Sequence, residues 1–400
     1  MASEAAPQHV IPLSVPTLCG REWEYVKECL DTNWVSSVGE FVTRFERDVA
    51  AYVGRAHAVA TVNGTAALHA ALAVAGVEPD DEVLLPALTF IAPANAVRYL
   101  GAWPVFVDVE REHWQLDPVK LADFLRHETV WRDGATRNRT TGRRIRAVVP
   151  VDTLGHPADL DPILELARSY HLRAVEDATE SLGARYRGRP VGALSEIACF
   201  SFNGNKIVTT GGGGMIVTDD PKVADRARYI TTQAKDDPIE YVHHAVGFNY
   251  RLPNVLAAIG VAQLEQLDAF VVVKRRVAAA YAAAFANVDG VTAMHEASWA
   301  TSTFWLFTIL IDAAACGLDS RALIRQLAGQ GIQARPLWQP LHHSPAHAGA
   351  QAYRCDVAEA LHATAVSLPS SVSLTADDQQ RVIDTILSAV RRARNRGAGV

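Results

Sequence analysis

The alternation that decides the fold lies in residues 57–107, which read HAVATVNGTAALHAALAVAGVEPDDEVLLPALTFIAPANAVRYLGAWPVFV. Short apolar runs at 57–61, 82–86 and 103–107 are predicted strands, and residues 65–75 and 92–100 between them carry apolar side chains at helical spacing. Largely apolar strands that alternate with helices are typical of a mainly parallel sheet covered on both faces. The stretch therefore predicts an α/β fold.

The same alternation extends on both sides of this stretch. Helices are predicted at 20–30, 41–53 and 160–170, and further strands at 147–151, 173–176, 197–202 and 215–218. Residues 127–146, HETVWRDGATRNRTTGRRIR, break the alternation because they are polar and rich in arginine. They are predicted to form an exposed insertion or hairpin, with a dedicated binding loop as the alternative.

The pattern changes after residue 254. Residues 256–288 are rich in alanine and predict one long helix that can carry a kink. A strand at 303–311, a helix at 320–330 and the segment 331–336 predict a smaller α+β unit. We therefore expect a flexible N-terminal tail at 1–10, a large domain at 11–262 and a small C-terminal domain at 263–400.

The composition excludes several classes of protein. Of the 400 residues, 49% are hydrophobic and 20% are charged, which fits a large buried core and not a disordered chain. The formal net charge of −6 argues against binding along a nucleic-acid backbone. No apolar run reaches the ~18 residues of a membrane span, and the first ten residues lack the pattern of a secretory signal. The 5 cysteines form no CxxC pair, so we expect a cytoplasmic protein without disulfide bonds or a metal site.

Lys206 is the only charged residue in IACFSFNGNKIVTTGGGGMIVT, residues 197–218. Apolar surroundings disfavour an ammonium and lower its pKa, which makes the amine a nucleophile. The glycines at 211–214 allow a backbone to approach a ligand closely. The alternative is a lysine at a strand end with its ammonium in solvent, followed by an ordinary hairpin turn.

Three further features fall near predicted strand ends, where open α/β sheets bind ligands. Asp177 ends an apolar strand, Gly64 and Thr65 open a helix after another, and Phe90 follows a third. The alternative for Asp177 is a turn or helix cap, and for Gly64 and Thr65 it is the capped start of a helix that binds nothing. The alternative for Phe90 is packing in the core. Together with Lys206 they supply an amine, a carboxylate, a phosphate cradle and an aromatic ring, which are the groups that pyridoxal phosphate needs.

The chain resembles the DegT/DnrJ/StrS-type nucleotide-sugar aminotransferases, which are pyridoxal phosphate enzymes of fold type I. The resemblance runs from about residue 11 to the C-terminus, and five segments carry it in the family's order: VNGTAALHAAL (62–72), LPALTFIAPANAVRYLGAWPVFVDV (85–109), VEDATESLGA (175–184), CFSFNGNKIVTTGGGGMIVTDD (199–220) and GFNYRLPNVLAAIG (247–260). It implies a large domain that binds the cofactor on a mainly parallel sheet, and a smaller C-terminal α+β domain.

The resemblance also implies roles for single residues. Lys206 would bind the cofactor covalently and later move a proton, and Asp177 would hold the ring nitrogen. Gly64, Thr65 and Ser201 would bind the phosphate, and Phe90 would stack on the ring.

Two positions need separate comment. Glu180 stands where many members have glutamine, near the phenolic oxygen, so we expect it to be protonated or turned toward substrate. Asn249 matches a residue that reaches the phosphate of the other subunit, which implies a homodimer with shared active sites. Without the resemblance, Asn249 is predicted to be a turn residue before a helix.

Segments 11–42, 201–215 and 132–144 resemble the branch that makes 4-amino-4,6-dideoxy-N-acetylhexosamines. This implies transamination of a UDP-linked N-acetyl-4-keto-6-deoxyhexosamine in polysaccharide or glycan synthesis, with L-glutamate as donor and 2-oxoglutarate as product. A GDP- or dTDP-keto-sugar aminotransferase is the alternative. Arg335, Trp338, His342 and His343 are candidate substrate-binding residues.

Three rival functions use the same features differently. The sugar dehydratases that resemble this family have histidine at the position of Lys206, so the lysine of this chain argues against that function. A non-catalytic regulator would keep the fold and lack turnover. A dinucleotide-binding protein would need GxGxxG after its first strand, and VNGTAAL lacks that motif.

Overall fold

The structure is a computed structural model that describes residues 9–237 and 239–397. The predicted tail at 1–10 lies outside the described residues except for its last two positions. The α-helices of the described part are α1 (Glu22–Asp31), α2 (Glu40–Val53), α3 (Gly64–Val74), α4 (Ala92–Tyr99), α5 (Pro118–His127), α6 (Leu160–Ser169), α7 (Pro221–Thr231), α8 (Asn254–Leu264), α9 (Leu267–Phe285), α10 (Ala313–Cys316), α11 (Ser320–Gly329), α12 (Asp356–Thr364) and α13 (Ala376–Gly397).

The strands follow the predicted alternation. They are β1 (His57–Thr61), β2 (Glu82–Pro86), β3 (Trp103–Val107), β4 (Thr129–Arg132), β5 (Ala135–Asn138), β6 (Ile145–Val148), β7 (Arg173–Asp177), β8 (Arg185–Tyr186), β9 (Arg189–Pro190), β10 (Ile197–Ser201), β11 (Gly214–Thr218), β12 (Val291–Ala293), β13 (Ala300–Thr301), β14 (Phe307–Ile311), β15 (Gln351–Tyr353) and β16 (Ala365–Leu368). The first three have the bounds that the sequence predicts.

Eight strands form one large sheet in the spatial order β1-β11-β10-β7-β6-β2-β3-β15. β11 is antiparallel to both of its neighbours, and all other neighbouring pairs are parallel. Along β2, Val83 and Leu85 pack into the cluster that contains α3, whereas Leu84 packs into the cluster that contains α5 and α6. Successive side chains thus point to opposite, helix-covered faces, and the predicted mainly parallel α/β sheet is confirmed.

The strand directions position the candidate site. β1, β2, β7 and β10 all run in the same direction, so their carboxyl ends lie at one edge of the sheet. The segments that follow these strands are therefore brought together at that edge, as in other open α/β sheets.

A second, antiparallel sheet of β12, β14 and β16 lies in the C-terminal part of the chain. Two segments cross the predicted boundary at residue 262. Ile11 pairs with Ile332, and β15 adds to the edge of the large sheet beside β3. The division into domains at 262 stays a prediction.

The predicted long helix at 256–288 is two helices, α8 and α9, with a bend of 61° between them. α8 packs into the cluster around α1 and α2, whereas Val277 and Tyr281 of α9 belong to the larger cluster that includes the small sheet. Leu267 and Phe270 in the first turn of α9 still belong to the cluster of α8, so the change of packing partner comes after the bend. Among the described residues, no single helix is long and apolar enough to cross a bilayer. The bent pair α8 and α9 together would be, by length and composition alone.

The arginine-rich segment contains a hairpin, in agreement with the prediction. β4 and β5 pair in antiparallel register around Asp133 and Gly134. Both turn residues have positive φ, 52° and 71°, which is the conformation that a two-residue Asp-Gly hairpin turn adopts.

Candidate active site

A cavity of about 300 Å³ opens at the carboxyl-end edge of the large sheet. The residues that line it come from the segments after β1, β2, β7 and β10 and from two C-terminal loops. Eight of the residues singled out from the sequence are among them: Gly64, Thr65, Phe90, Asp177, Glu180, Ser201, Lys206 and Trp338.

Lys206 lies in the loop between β10 and β11, and its side chain is 12% exposed. Its Nζ is 3.6 Å from Oε1 of Glu180 and 3.9 Å from the ring centre of Trp305. Burial lowers the pKa of this amine, while the carboxylates of Glu180 and Asp177 act in the opposite direction. The lowered pKa favours the neutral, nucleophilic form of the amine relative to an exposed lysine.

The loop around Lys206 is fixed at both ends. The Lys206 N–H donates to the carbonyl of Asn203 at 3.0 Å, and the indole N–H of Trp305 donates to the carbonyl of Asn205 at 2.7 Å. Beyond the loop, a Cβ on Gly214 would lie 2.4 Å from the carbonyl oxygen of Asn63. The last glycine of the run is therefore required because β11 passes directly against the start of α3.

The start of α3 presents free backbone N–H groups to the cavity. The Asn63 side chain caps the N–H of Ala66 at 2.8 Å, and the first intrahelical bond is donated by Ala67. The N–H groups of Gly64 and Thr65 precede that bond and stand at the positive end of the helix dipole. A Cβ on Gly64 would lie 2.7 Å from the Cβ of Ser201, so glycine brings the Ser201 hydroxyl against this helix end. Backbone N–H groups and a hydroxyl are the ligands that helix ends offer to phosphate.

Asp177 ends β7 and is 2% exposed. Its Oδ1 accepts the backbone N–H of Thr179 at 3.1 Å. Burial raises the pKa of this carboxyl, and the bonds from Thr179 and the charge of Lys206 oppose that effect. A cationic ring nitrogen placed against it would favour the charged carboxylate.

Glu180 is the second carboxyl group of the cavity and is 4% exposed. Its Oε2 accepts the backbone N–H of Leu154 at 2.8 Å, and its Oε1 faces Lys206. Burial raises the pKa of Glu180 to about 7, although Lys206 and the Leu154 N–H favour the charged form. Leu154 has φ of 61°, which is uncommon for a residue with a branched side chain. That conformation occurs at the residue whose N–H orients Glu180.

Aromatic side chains form the outer wall. Phe90 is 52% exposed, and its ring centre is 6.5 Å from that of Trp338. Trp305 and the N–H of Leu154 were missed by sequence reasoning. Trp305 lies in STFWLF, where nothing in the local pattern separates it from a core residue.

Four predicted residues do not line this cavity within the chain: Arg335, His342, His343 and Asn249. Arg335 is exposed and pairs through its backbone with Ser367. His342 lies beside His343, and both contact Glu359 at 3.1 Å. Asn249 is exposed and forms a backbone bridge with Thr232. The predicted substrate contacts of Arg335 and His342, and the contact of Asn249 with a second subunit, stay predictions.

The donor set of the cavity fits pyridoxal phosphate. An amine whose pKa is lowered by burial, a buried carboxylate, a helix N-terminus with an adjacent hydroxyl and an exposed aromatic ring surround one space. The Cβ that glycine omits at residue 64 would otherwise fill the place between the helix end and Ser201.

Comparisons with known proteins agree with this fit. The model of the DegT/DnrJ/EryC1/StrS aminotransferase family matches residues 16–387. The GDP-perosamine synthase of Caulobacter vibrioides is 41% identical over 374 residues, which cover 93% of this chain and 96% of that protein. The GDP-perosamine synthase of Escherichia coli O157:H7 is 37% identical over 377 residues, which cover 94% of this chain and 97% of that protein. Among solved structures, the aminotransferase TlmJ from Streptoalloteichus hindustanus has a TM-score of 0.86 and 29% identity, and the match covers 96% of this chain and 99% of that one.

Proposed function

Because the chain belongs to the DegT/DnrJ/EryC1/StrS aminotransferase family, whose members are pyridoxal-phosphate-dependent nucleotide-sugar aminotransferases, we propose that it aminates a nucleotide-linked 4-keto-6-deoxy sugar with L-glutamate as the donor. Glutamate would leave as 2-oxoglutarate, and the amino sugar would enter polysaccharide or glycan synthesis. The observation that carries this proposal is the buried Lys206 amine, which shares one cavity with Asp177 and the start of α3.

The nucleotide is the finer part of the proposal. Relatives at 41% and 37% identity are GDP-perosamine synthases, so we place a GDP-linked sugar first. Segments 11–42 and 132–144 resemble the branch that uses UDP-linked N-acetyl sugars, so that substrate is the second candidate.

We propose that Lys206 holds the cofactor and carries a proton to and from the carbon that gains the amine. When bound, pyridoxal phosphate supplies an electron sink for that carbon. The neighbouring carboxylates and the ring of Trp305 keep Nζ within the cavity, at 3.6 Å from Glu180 and 3.9 Å from the ring centre. A positioned amine with a lowered pKa is suited to general acid–base work near neutral pH.

Asp177 and the start of α3 would orient the cofactor from its two ends. The Asp177 carboxylate would keep the ring nitrogen protonated, because burial strengthens an ion pair at that position. Gly64, Thr65 and Ser201 would bind the phosphate, and Phe90 would cover the ring.

Glu180 would act as a neutral acid at the phenolic oxygen. Because burial raises its pKa to about 7, its carboxyl group is available as a proton donor below that pH. The bond from Leu154 to Oε2 leaves Oε1 to face Lys206 and the cavity.

We propose that two chains assemble into a homodimer with shared sites. Large apolar side chains are exposed at Trp23, Trp34, Val38 and Val246, with exposed fractions between 55% and 88%. Large exposed apolar patches mark surfaces that another chain covers, and we propose that these side chains belong to such a surface. Val246 lies three positions before Asn249, so a partner that covers it would also meet Asn249.

The rival functions make different predictions for the same site. A dehydratase would carry histidine at the position of Lys206, and this chain carries lysine. A regulator would bind the cofactor without turnover. The cytoplasmic location stays a prediction.

The test is amination of a panel of GDP-, UDP- and dTDP-linked 4-keto-6-deoxy sugars by the purified protein. The reaction is measured as the 2-oxoglutarate that is formed from glutamate. Turnover is expected with at least one sugar and fastest with the GDP-linked one. Lys206→Ala is the matched control and should show no turnover. Cofactor binding without turnover of any sugar would contradict the proposal and favour a regulator.

A further inference from the structure

Lys274 of α9 is a buried lysine outside the cavity, with a relative exposure of 3%. Its Nζ donates to the carbonyl oxygen of Trp305 at 2.6 Å and to that of Ser370 at 2.5 Å. Both partners are neutral, and no carboxylate of residues 9–237 or 239–397 forms an ion pair with it. Lys274 therefore places an amine inside the protein with two backbone carbonyl oxygens as its hydrogen-bond partners.

Stability does not account for a lysine at this position. Burial alone lowers the pKa of Lys274 to about 7, which means that the folded protein disfavours the ammonium. Ammonium groups are rarely buried without a carboxylate, because desolvation outweighs what neutral partners return. A methionine has a similar length and no charge to desolvate.

The partner of Lys274 connects it to the cavity. Trp305 is 4% exposed, and its ring centre lies 3.9 Å from Nζ of Lys206. Its indole N–H holds the carbonyl of Asn205, the residue before Lys206. The position of this one indole therefore sets both the loop that carries Lys206 and the surface against which the amine rests.

The Lys274 amine binds the backbone at two places beside the second sheet: at Trp305, just before β14, and at Ser370, just after β16. Ser370, its second partner, accepts the backbone N–H of Phe307 on its hydroxyl at 2.9 Å. Lys274 thus binds the segment from Trp305 to Phe307 at its first residue. Ser370, which Lys274 also binds, holds the last residue of that segment. Removing the ammonium releases the backbone of Trp305 from α9.

We propose that Lys274 is a positioning residue that fixes Trp305 against the Lys206 amine. The proposal rests on the proposed function, because Lys206 is taken as the amine that holds the cofactor. Lys274 itself does not reach the cavity and acts only through the backbone of Trp305.

Tyr281 supplies a matched control on the same helix. It is fully buried, two turns beyond Lys274, and its hydroxyl donates to the carbonyl of Pro369 at 3.0 Å. Tyr281→Phe therefore removes a buried hydrogen bond from α9 to the same loop without touching Trp305. A merely structural effect should appear in both variants alike.

The experiment compares Lys274→Met and Tyr281→Phe as cofactor-loaded protein. The first readout is the pH titration of the absorbance band of the cofactor bound to Lys206, and the second is kcat and KM. The Trp305 ring stabilises a positive charge on the Lys206 nitrogen. Lys274→Met displaces the ring, so it should lower the pKa of that band by about one unit. It should also lower kcat about tenfold or more, because small displacements at a reacting group are costly. Tyr281→Phe should leave the band and kcat within about twofold of wild type.

A double-mutant cycle with Trp305→Leu separates the proposed route from a general loosening. Leucine keeps the backbone carbonyl that Lys274 binds and lacks both the aromatic face and the indole N–H, so Lys274→Met should change the band much less in that background than in wild type. Additive effects would overturn the proposal, as would equal effects of the Met and Phe variants at residues 274 and 281. If Lys274→Met does not fold, Lys274→Gln is read by the same criteria.

The outcomes also separate this proposal from the proposed function. A wild-type protein without a lysine-bound cofactor band refutes both. A wild-type band that Lys274→Met and Lys274→Gln leave unchanged, with kcat unchanged, refutes only the role of Lys274.

Discussion

Replacing Glu180 by glutamine should change how stability depends on pH. Glutamine has the shape of glutamate, and its carbonyl oxygen can still accept the Leu154 N–H that now lies 2.8 Å from Oε2. The substitution therefore removes a titrating proton and leaves the packing and the backbone bond in place. The measurement uses the protein without its cofactor, so that only residues of the chain contribute.

The size of the effect follows from the environment of the carboxyl group. Burial raises the pKa of Glu180 from 4.5 to about 7 in the folded protein. The folded chain thus binds this proton more tightly than the unfolded chain, so the stabilising contribution is complete below pH 4.5 and is lost as the pH rises through 7. A difference of about 2.5 pH units corresponds to about 3 kcal/mol, most of which is lost between pH 5 and pH 8.5.

Urea unfolding of wild type and Glu180→Gln at pH 5 and pH 8.5 measures this directly. The free energy of unfolding of the glutamine variant should rise by about 2–3 kcal/mol relative to that of wild type between the two pH values. Glu112→Gln, at an exposed turn, is the matched control and should follow wild type at both. If the free energies of unfolding of wild type and Glu180→Gln differ by the same amount at pH 5 and at pH 8.5, the reasoning is refuted.

Further substitutions test the cofactor contacts and the assembly. Asp177→Asn should lower kcat about 10²–10³-fold, because the charge-assisted bond to the ring nitrogen is lost; a drop below tenfold in steady-state assays would assign that nitrogen to another group. Gly64→Ala should weaken cofactor binding at least about tenfold in a fluorescence titration, because its Cβ would lie 2.7 Å from that of Ser201; wild-type affinity would show that the phosphate binds elsewhere. Mixed Lys206→Ala and Asn249→Ala chains should regain activity at about one site per heterodimer, since one site then receives both intact residues. Activity equal to the average of the parents, or a monomer in solution, would contradict shared sites.

Much of the large sheet could be predicted because its strands are short apolar runs between turn residues. The strands at 57–61, 82–86 and 103–107 show in the local sequence as apolar runs, because all their positions except the first of β1 and of β3 are buried. β15 could not be predicted, because QAY has no strand pattern and joins the sheet only by packing at its edge. The bend after Leu264 could not be predicted either, because α8 and α9 are both apolar and no glycine or proline at 264–267 marks the break.

The candidate site divides in the same way. Lys206, Asp177 and Gly64 stand out locally, as a lone charge, a strand-end carboxylate and a helix start. Trp305 and Lys274 do not, because their roles depend on contacts with Asn205 and with each other across distant parts of the chain. Sequence patterns indicate the groups that do chemistry more readily than the groups that hold them.

The most direct test of the central claim identifies the lysine that carries the cofactor. The chain has 6 lysines, and two of them, Lys206 and Lys274, are buried amines with lowered pKa values. Borohydride reduction of the cofactor-loaded protein makes the link permanent, and peptide mass spectrometry then locates it. The account predicts one added cofactor per chain, on the peptide that contains Lys206. A cofactor on Lys274 or any other lysine, or no covalent adduct at all, would contradict it.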